Sequence, residues 1–187
     1  MTAVMYVPTF YLRQKYGIRN KYELYAADPD GSFGQLMGFA EQKFALKEEV
    51  VFFADQTKTR RVFSFRARNV MELNAGYDVF DEAGQQIGFF QKDFGKSILR
   101  STFRLEGPGF QGTGQERSQG VALLRRFTDV KFIPIHFDFV DAEAKPLLGV
   151  ERQGSLRDQY TVHVPDPRVD FRFAAAVAVA MDAMMQR

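Results

Sequence analysis

Along most of the chain apolar and polar residues alternate one for one, which is the period of a half-buried β-strand. In "RRVFSFRAR" the residues Phe63, Phe65 and Ala67 share one face. In "ILRSTFRL" the shared face carries Leu99, Ser101, Phe103 and Leu105, and in "FIPIHFDF" it carries Ile133, Ile135, Phe137 and Phe139. Three longer stretches read as complete hairpins. They run from Tyr22 through Asp30-Gly31 to Gly38-Phe39, from Tyr77 through Asp81 and Gly84 to Gly88-Phe89, and from Ile135 through Asp141 to Gly149-Val150. Each is an alternating strand, an acidic turn, and a second strand closed by a glycine and an apolar residue. Asp bonds its own backbone in such turns and Gly supplies positive φ. The third stretch lacks the turn glycine and is a residue longer, which predicts a different loop there. The uneven spacing of Gly38, Gly88 and Gly149 excludes a regular solenoid and suits a hairpin unit repeated within one closed sheet. The pattern predicts mainly antiparallel β structure with one buried face.

Two segments break the alternation. Glu106 to Gly120 is glycine-rich and reads as a loop that opens a short helix through "VALLRRF". The second is the ending, "FRFAAAVAVAMDAMMQR", in which no residue from Phe173 to Met181 carries a charge. Asp166 as N-cap and Pro167 at the first helical position predict a helix over 167–186, roughly 30 Å long. Its apolar run is shorter than the roughly 20 residues a bilayer span needs. A helix apolar on all sides is therefore buried on all sides. Alanine at 174, 175, 176, 178 and 180 keeps it slim, while the strands present phenylalanine. The complementary volumes predict a β-barrel closed around its own C-terminal helix. Arg168, Asp170, Arg172, Asp182 and Arg187 then fall at the barrel mouths. A helix lying in the groove of an open sheet and a lipid-anchoring helix are the competing arrangements.

Composition narrows this picture. A chain of 187 residues is long enough for one full core, so residues 1–187 are read as a single domain. Ordinary apolar and charged fractions argue against disorder and against a multi-span membrane protein. Twenty Phe and seven Tyr suit pleated surfaces more than helices. The net charge of +2 neither demands nor excludes an anionic partner, and nucleic acid is not expected. The absence of cysteine removes disulfides, thiolate catalysis and cysteine-based metal sites. No basic region precedes the apolar stretch at the N-terminus, so no signal peptide is expected and the cytoplasm is the default.

Among motifs with chemical content, "GPGFQG" spells G-x-G-x-x-G, but Pro108 removes an amide and no βαβ pattern surrounds it. A flexible loop is the better reading. His136 and His163 fall on the polar faces of their strands, without a serine elbow to serve. His136 and Asp138 share a strand face, yet no further metal ligand joins them. "DPDG" at Asp28 begins like a calcium loop and then lacks its carboxylates, so it is a turn. The basic residues form the one constellation with a plausible task. Arg66 and Arg68 point away from Phe65, and Arg100 and Arg104 point away from Leu99 and Phe103, while Lys58, Arg60 and Arg61 add a basic turn. Guanidinium groups on rigid strands hold phosphates bidentately. A solvated barrel exterior explains the same residues without any ligand.

Taken together, "YDVFDEAGQQIGFFQKDF", "RSTFRL" and "RDQYTVHVPDPRVDFRFAAAVAVAMDAMM" resemble the LURP-one-related proteins of the tubby C-terminal-like superfamily. That superfamily also contains the phospholipid scramblases. The resemblance runs from about Tyr11 to the C-terminus and implies a twelve-stranded barrel around a central helix. It also implies candidate functions, since tubby-type domains bind phosphoinositides through basic side chains. The chain departs from the scramblases in lacking a cysteine-rich segment. Asp158, Asp166 and Asp170 are too few and too separated for their calcium segment. The resulting expectation is a non-enzymatic binding module without cofactor or metal. Its ligand is an anionic lipid headgroup, at a peripheral membrane surface, or another phosphorylated group. A protein-interaction scaffold is the alternative, and a hydrolase the more distant one.

Overall fold

The computed structural model describes residues 3–15, 20–42, 49–68, 76–93, 102–117, 135–152 and 159–185. These form twelve strands: β1 (Thr9–Lys15), β2 (Asn20–Ala27), β3 (Phe33–Gln42), β4 (Val50–Phe53), β5 (Arg61–Ala67), β6 (Tyr77–Asp81), β7 (Gln86–Asp93), β8 (Thr102–Gly107), β9 (Phe110–Glu116), β10 (Ile135–Val140), β11 (Pro146–Arg152) and β12 (Gln159–His163). Each strand pairs antiparallel with the next, and β1 closes the ring on β12 through pairs such as Phe10 with Val162. After β12 the described residues form one helix, α1 (Phe171–Met185). No helix among the described residues is long and apolar enough to cross a membrane.

The helix is the barrel's core. Every residue from Phe171 to Met181 is buried, and the inward strand positions Phe10, Phe52, Phe63, Phe65, Phe90 and Phe103 are fully enclosed. Phe171 meets Phe10 and Phe63 edge-on at 5.4 and 6.0 Å, and Phe173 meets Phe110 at 5.6 Å. Each ring removed from water contributes roughly 1.5–3 kcal/mol. The wall also yields where the axle is bulky: a Cβ at Gly88 would lie 2.3 Å from the Phe173 ring. The helix begins later than its sequence signals imply. Asp166 and Pro167 form a single turn, closed by the Val169 N–H donating to the Asp166 carbonyl. The cap is Asp170, whose side chain accepts the Arg172 N–H at 2.8 Å.

The polar groups assigned to the barrel mouths are mostly buried there and not open to solvent. Asp170, Arg172 and Asp182 are buried. Arg172 donates to Asp170 at 2.8 Å and to Glu82 at 2.9 Å. Asp182 accepts from the hydroxyls of Tyr22, at 3.0 Å, and of Tyr160. Each charge sits at the end of the apolar run and is met there by partners, as burial of a charge requires. Arg168 remains exposed, and Arg187 lies outside the described residues.

Two loop expectations are corrected. Residues 106–117 of the glycine-rich stretch belong to the β8–β9 hairpin, turning tightly at Pro108-Gly109; residues 118–120 and the segment "VALLRRF" lie outside the described residues. Gly114 lies in β9 and not in a loop, paired with Phe139, and it is glycine because a Cβ there would stand 2.2 Å from the Phe139 ring. The three acidic hairpin turns are also alike. The N–H groups of Gly31, Gly84 and Ala144 donate to the carbonyls of Asp28, Asp81 and Asp141 at 2.8–3.1 Å. Ala144 takes the glycine position at φ 62°. The third hairpin thus uses the same loop with a residue that strains to fit it.

All these turns share one rim with the helix N-terminus, called the upper rim below, because the strands alternate in direction around the ring.

Candidate functional site

With helix and aromatic side chains filling the lumen, the outer wall and the rims carry the groups that meet solvent. On the wall formed by β5, β6, β7 and β8, Arg66 stands opposite Asp78, Asp78 opposite Phe89, and Phe89 opposite Glu106. Arg66 and Arg68 both lie over aromatic rings, Arg66 at 4.7 Å from the centre of Phe80 and Arg68 at 4.0 Å from that of Phe89. The Phe89 platform depends on its neighbour. A Cβ at Gly76 would fall 2.1 Å from the Phe89 ring, so only glycine lets that ring lie flat under Arg68. Cation–π contact of this kind contributes about 0.5–1 kcal/mol at an exposed site and fixes the guanidinium plane.

Carboxylates meet several of these cations. Arg68 grips Asp78 with bonds of 2.7–3.0 Å, which raises the guanidinium pKa through that hydrogen bonding. Arg104 reaches Asp93 at 3.4 Å. Among the described residues Arg66 has no ion-pair partner. Three strand spacings of roughly 4.8 Å separate Arg66 from Arg104, so they bracket a face and do not converge on one atom. Arg100 lies outside the described residues.

The other basic residues are elsewhere. Lys58, Arg60 and Arg61 lie at the upper rim, roughly 17 Å along β5 from Arg66 by strand rise. Lys58 pairs with Glu41, and Arg61 with Glu49 at 2.5 Å. The structure therefore brings Arg66, Arg68 and Arg104 onto one wall and leaves the basic turn apart.

Three polar clusters escape a reading of single strands. On β1 and β2, Glu23 is buried and accepts from Arg13, Lys15, Tyr25 and Gln56. Around β10, Arg117, the residue after β9, holds Asp138 with two bonds of 2.7 Å, while His136 stands 3.5 Å from Glu151 on β11. Asp138 is thus committed to an arginine, and its carboxyl is held low by that bond. No group of metal-ligating side chains occurs among the described residues. At the upper rim, Gly107, Phe110, Asp141, Glu143 and Arg168 border an open cavity of about 400 Å³. Arg168 is tied there to Asp166 at 2.6 Å and to the Gly109 carbonyl at 2.8 Å. Register, which pairs residues distant in sequence, assembles the first two clusters, and the turns of the upper rim assemble the third.

Compared with known proteins, residues 38–182 match a family model described as LURP-one-related. No curated protein matches the chain. The matched stretch begins within β3, whereas the barrel closes only through β1 and β2, which precede it.

Proposed function

The chain belongs to the LURP-one-related family, and from that premise we propose that it is a non-enzymatic, tubby-like binding module. Its ligand is an anionic group, a lipid headgroup or another phosphorylated moiety, held on the outer wall of β5 to β8. The observation that carries this reading is the mounting of Arg66 and Arg68 on Phe80 and Phe89, with Arg104 across the same wall. A guanidinium lying on a ring keeps its donor edge oriented, so less order is lost when it meets a phosphate.

Co-sedimentation with phosphatidylserine vesicles, against phosphatidylcholine vesicles, tests it. Wild type sediments with the anionic vesicles at low salt and much less at physiological salt, as the screening length falls from about 30 Å to about 8 Å. Arg66→Glu with Arg104→Glu abolishes sedimentation and leaves the melting temperature within a few degrees. Binding that survives this double reversal removes the wall from the site.

A protein-interaction scaffold is the second reading. It is favoured by the carboxylates that meet Arg68, Arg104, Arg61 and Lys58, which make the exterior a mosaic of both signs. Failure to bind anionic vesicles even at low salt favours this scaffold over the lipid reading.

A further inference from the structure

A closed barrel offers no free strand edge. The segment ahead of β1 supplies one. The Ala3 carbonyl accepts from Arg172 at 3.4 Å, the Met5 N–H donates to Asp170 at 2.9 Å, and the Phe171 N–H donates to the Met5 carbonyl at 2.8 Å. Ala3 and Met5 thus turn their backbones toward the helix start, the alternation of an extended chain. By that alternation the backbone groups of Val4 and Tyr6 face outward. Among the described residues, neither makes a backbone hydrogen bond. The side chains are unusual as well: Val4, Met5 and Tyr6 are 48, 44 and 43% exposed, and only Phe33 joins them as an exposed large apolar residue among those described.

The strap is held firmly. Arg172, which is buried, bridges Ala3, Asp170 and Glu82. Farther along, the Tyr6 hydroxyl donates to the Val164 carbonyl at 3.1 Å, and the Val164 N–H donates to the Pro8 carbonyl at 2.8 Å. Both ends are anchored while the outward backbone between them is free.

We propose that this strap is a docking edge, onto which an extended segment of a partner protein adds as a β-strand. Main-chain bonds to Val4 and Tyr6 provide the pairing, and apolar side chains of the partner cover Val4 and Tyr6, which share one face of the extended strap. The rim sets the partner's charge. Glu82 and Glu143 are exposed there, and the turns of this rim carry more carboxylates than cations. The partner segment therefore alternates apolar with basic residues. A second copy fits less well, because residues 3–8 contain no cation and two straps bury far less than the roughly 800 Å² per partner of a stable complex. This surface is distinct from the β5–β8 wall.

Amide exchange of the full chain, followed by NMR, provides the test. The probe is a short synthetic peptide alternating valine and lysine. Free protein shows slow exchange at Met5 and fast exchange at Val4 and Tyr6; the peptide slows both outward amides about tenfold or more and leaves Met5 unchanged. The same peptide with its pairing amides N-methylated has no effect. Val4→Pro, which removes one outward N–H, weakens peptide binding by about tenfold, equivalent to ~1.4 kcal/mol. Three results overturn the proposal: equal binding of the methylated peptide, protection that rises with protein concentration alone, or protection by anionic vesicles in place of the peptide.

Discussion

Glu23 is a carboxylate buried on the outside of a barrel, and its neighbours explain why it is tolerated. Burial pushes its pKa up. Hydrogen bonds from Lys15, Arg13 and Tyr25 outweigh that and bring it down to about 2. A folded value below the unfolded one means that the stabilisation is full above the unfolded pKa and fades as pH falls toward about 2. From the ordinary 4.5 the lowering amounts to at most about 3 kcal/mol, reduced because Lys15 is half exposed. Urea denaturation of wild type and Glu23→Gln should show a stability gap at pH 7 that closes between pH 4.5 and about 2. A gap that stays constant over that window contradicts the account. The sequence hid this cluster because Arg13 and Glu23 meet only through the β1–β2 register.

The elements were legible where their chemistry is local. Alternation and acidic turns sufficed for the β2–β3, β6–β7 and β10–β11 hairpins, because one strand face and one turn residue carry the signal. The β8–β9 hairpin was opaque because Gly114 answers to Phe139 on β10, a partner distant in sequence. The helix start was misplaced for a similar reason. Asp166-Pro167 and Asp170 both carry cap chemistry, but it is Asp170 that accepts from Met5 and Arg172. The third hairpin offers a direct test, since Ala144 holds a left-handed backbone at φ 62°. An L-residue there costs about 1–2 kcal/mol, partly offset by the greater unfolded-state entropy of glycine. Ala144→Gly should stabilise by about 0.5–1 kcal/mol and raise the melting temperature by roughly 2–4 °C. A drop in melting temperature would show that the turn is not strained. Gly114→Ala should act oppositely and cost about 1–3 kcal/mol by overpacking against Phe139, which thermal unfolding would reveal.

At the scale of the whole molecule, the all-round apolar helix and the phenylalanine-bearing strands together pointed to a filled barrel. Their meaning survives because volume complementarity is a global property written in composition. Ala176 is fully buried at the centre of α1, and Ala176→Asp should abolish cooperative unfolding near neutral pH, as followed by circular dichroism. Retention of a normal transition would show that α1 is not the axle. The candidate wall was only half legible. Sequence gives the outward direction of Arg66, Arg68 and Arg104, but their common wall required the strand order and their carboxylate partners required the register. With the lumen filled, the proposed ligand meets the barrel on that wall. Arginine side-chain NMR during titration with soluble inositol trisphosphate tests this most directly. Binding at the wall should move the Arg66 and Arg104 signals first, with shifts that shrink at physiological salt and with Arg13, Arg117 and Arg172 unmoved. Shifts centred on Arg168 at the upper rim, or none at low salt, would contradict it.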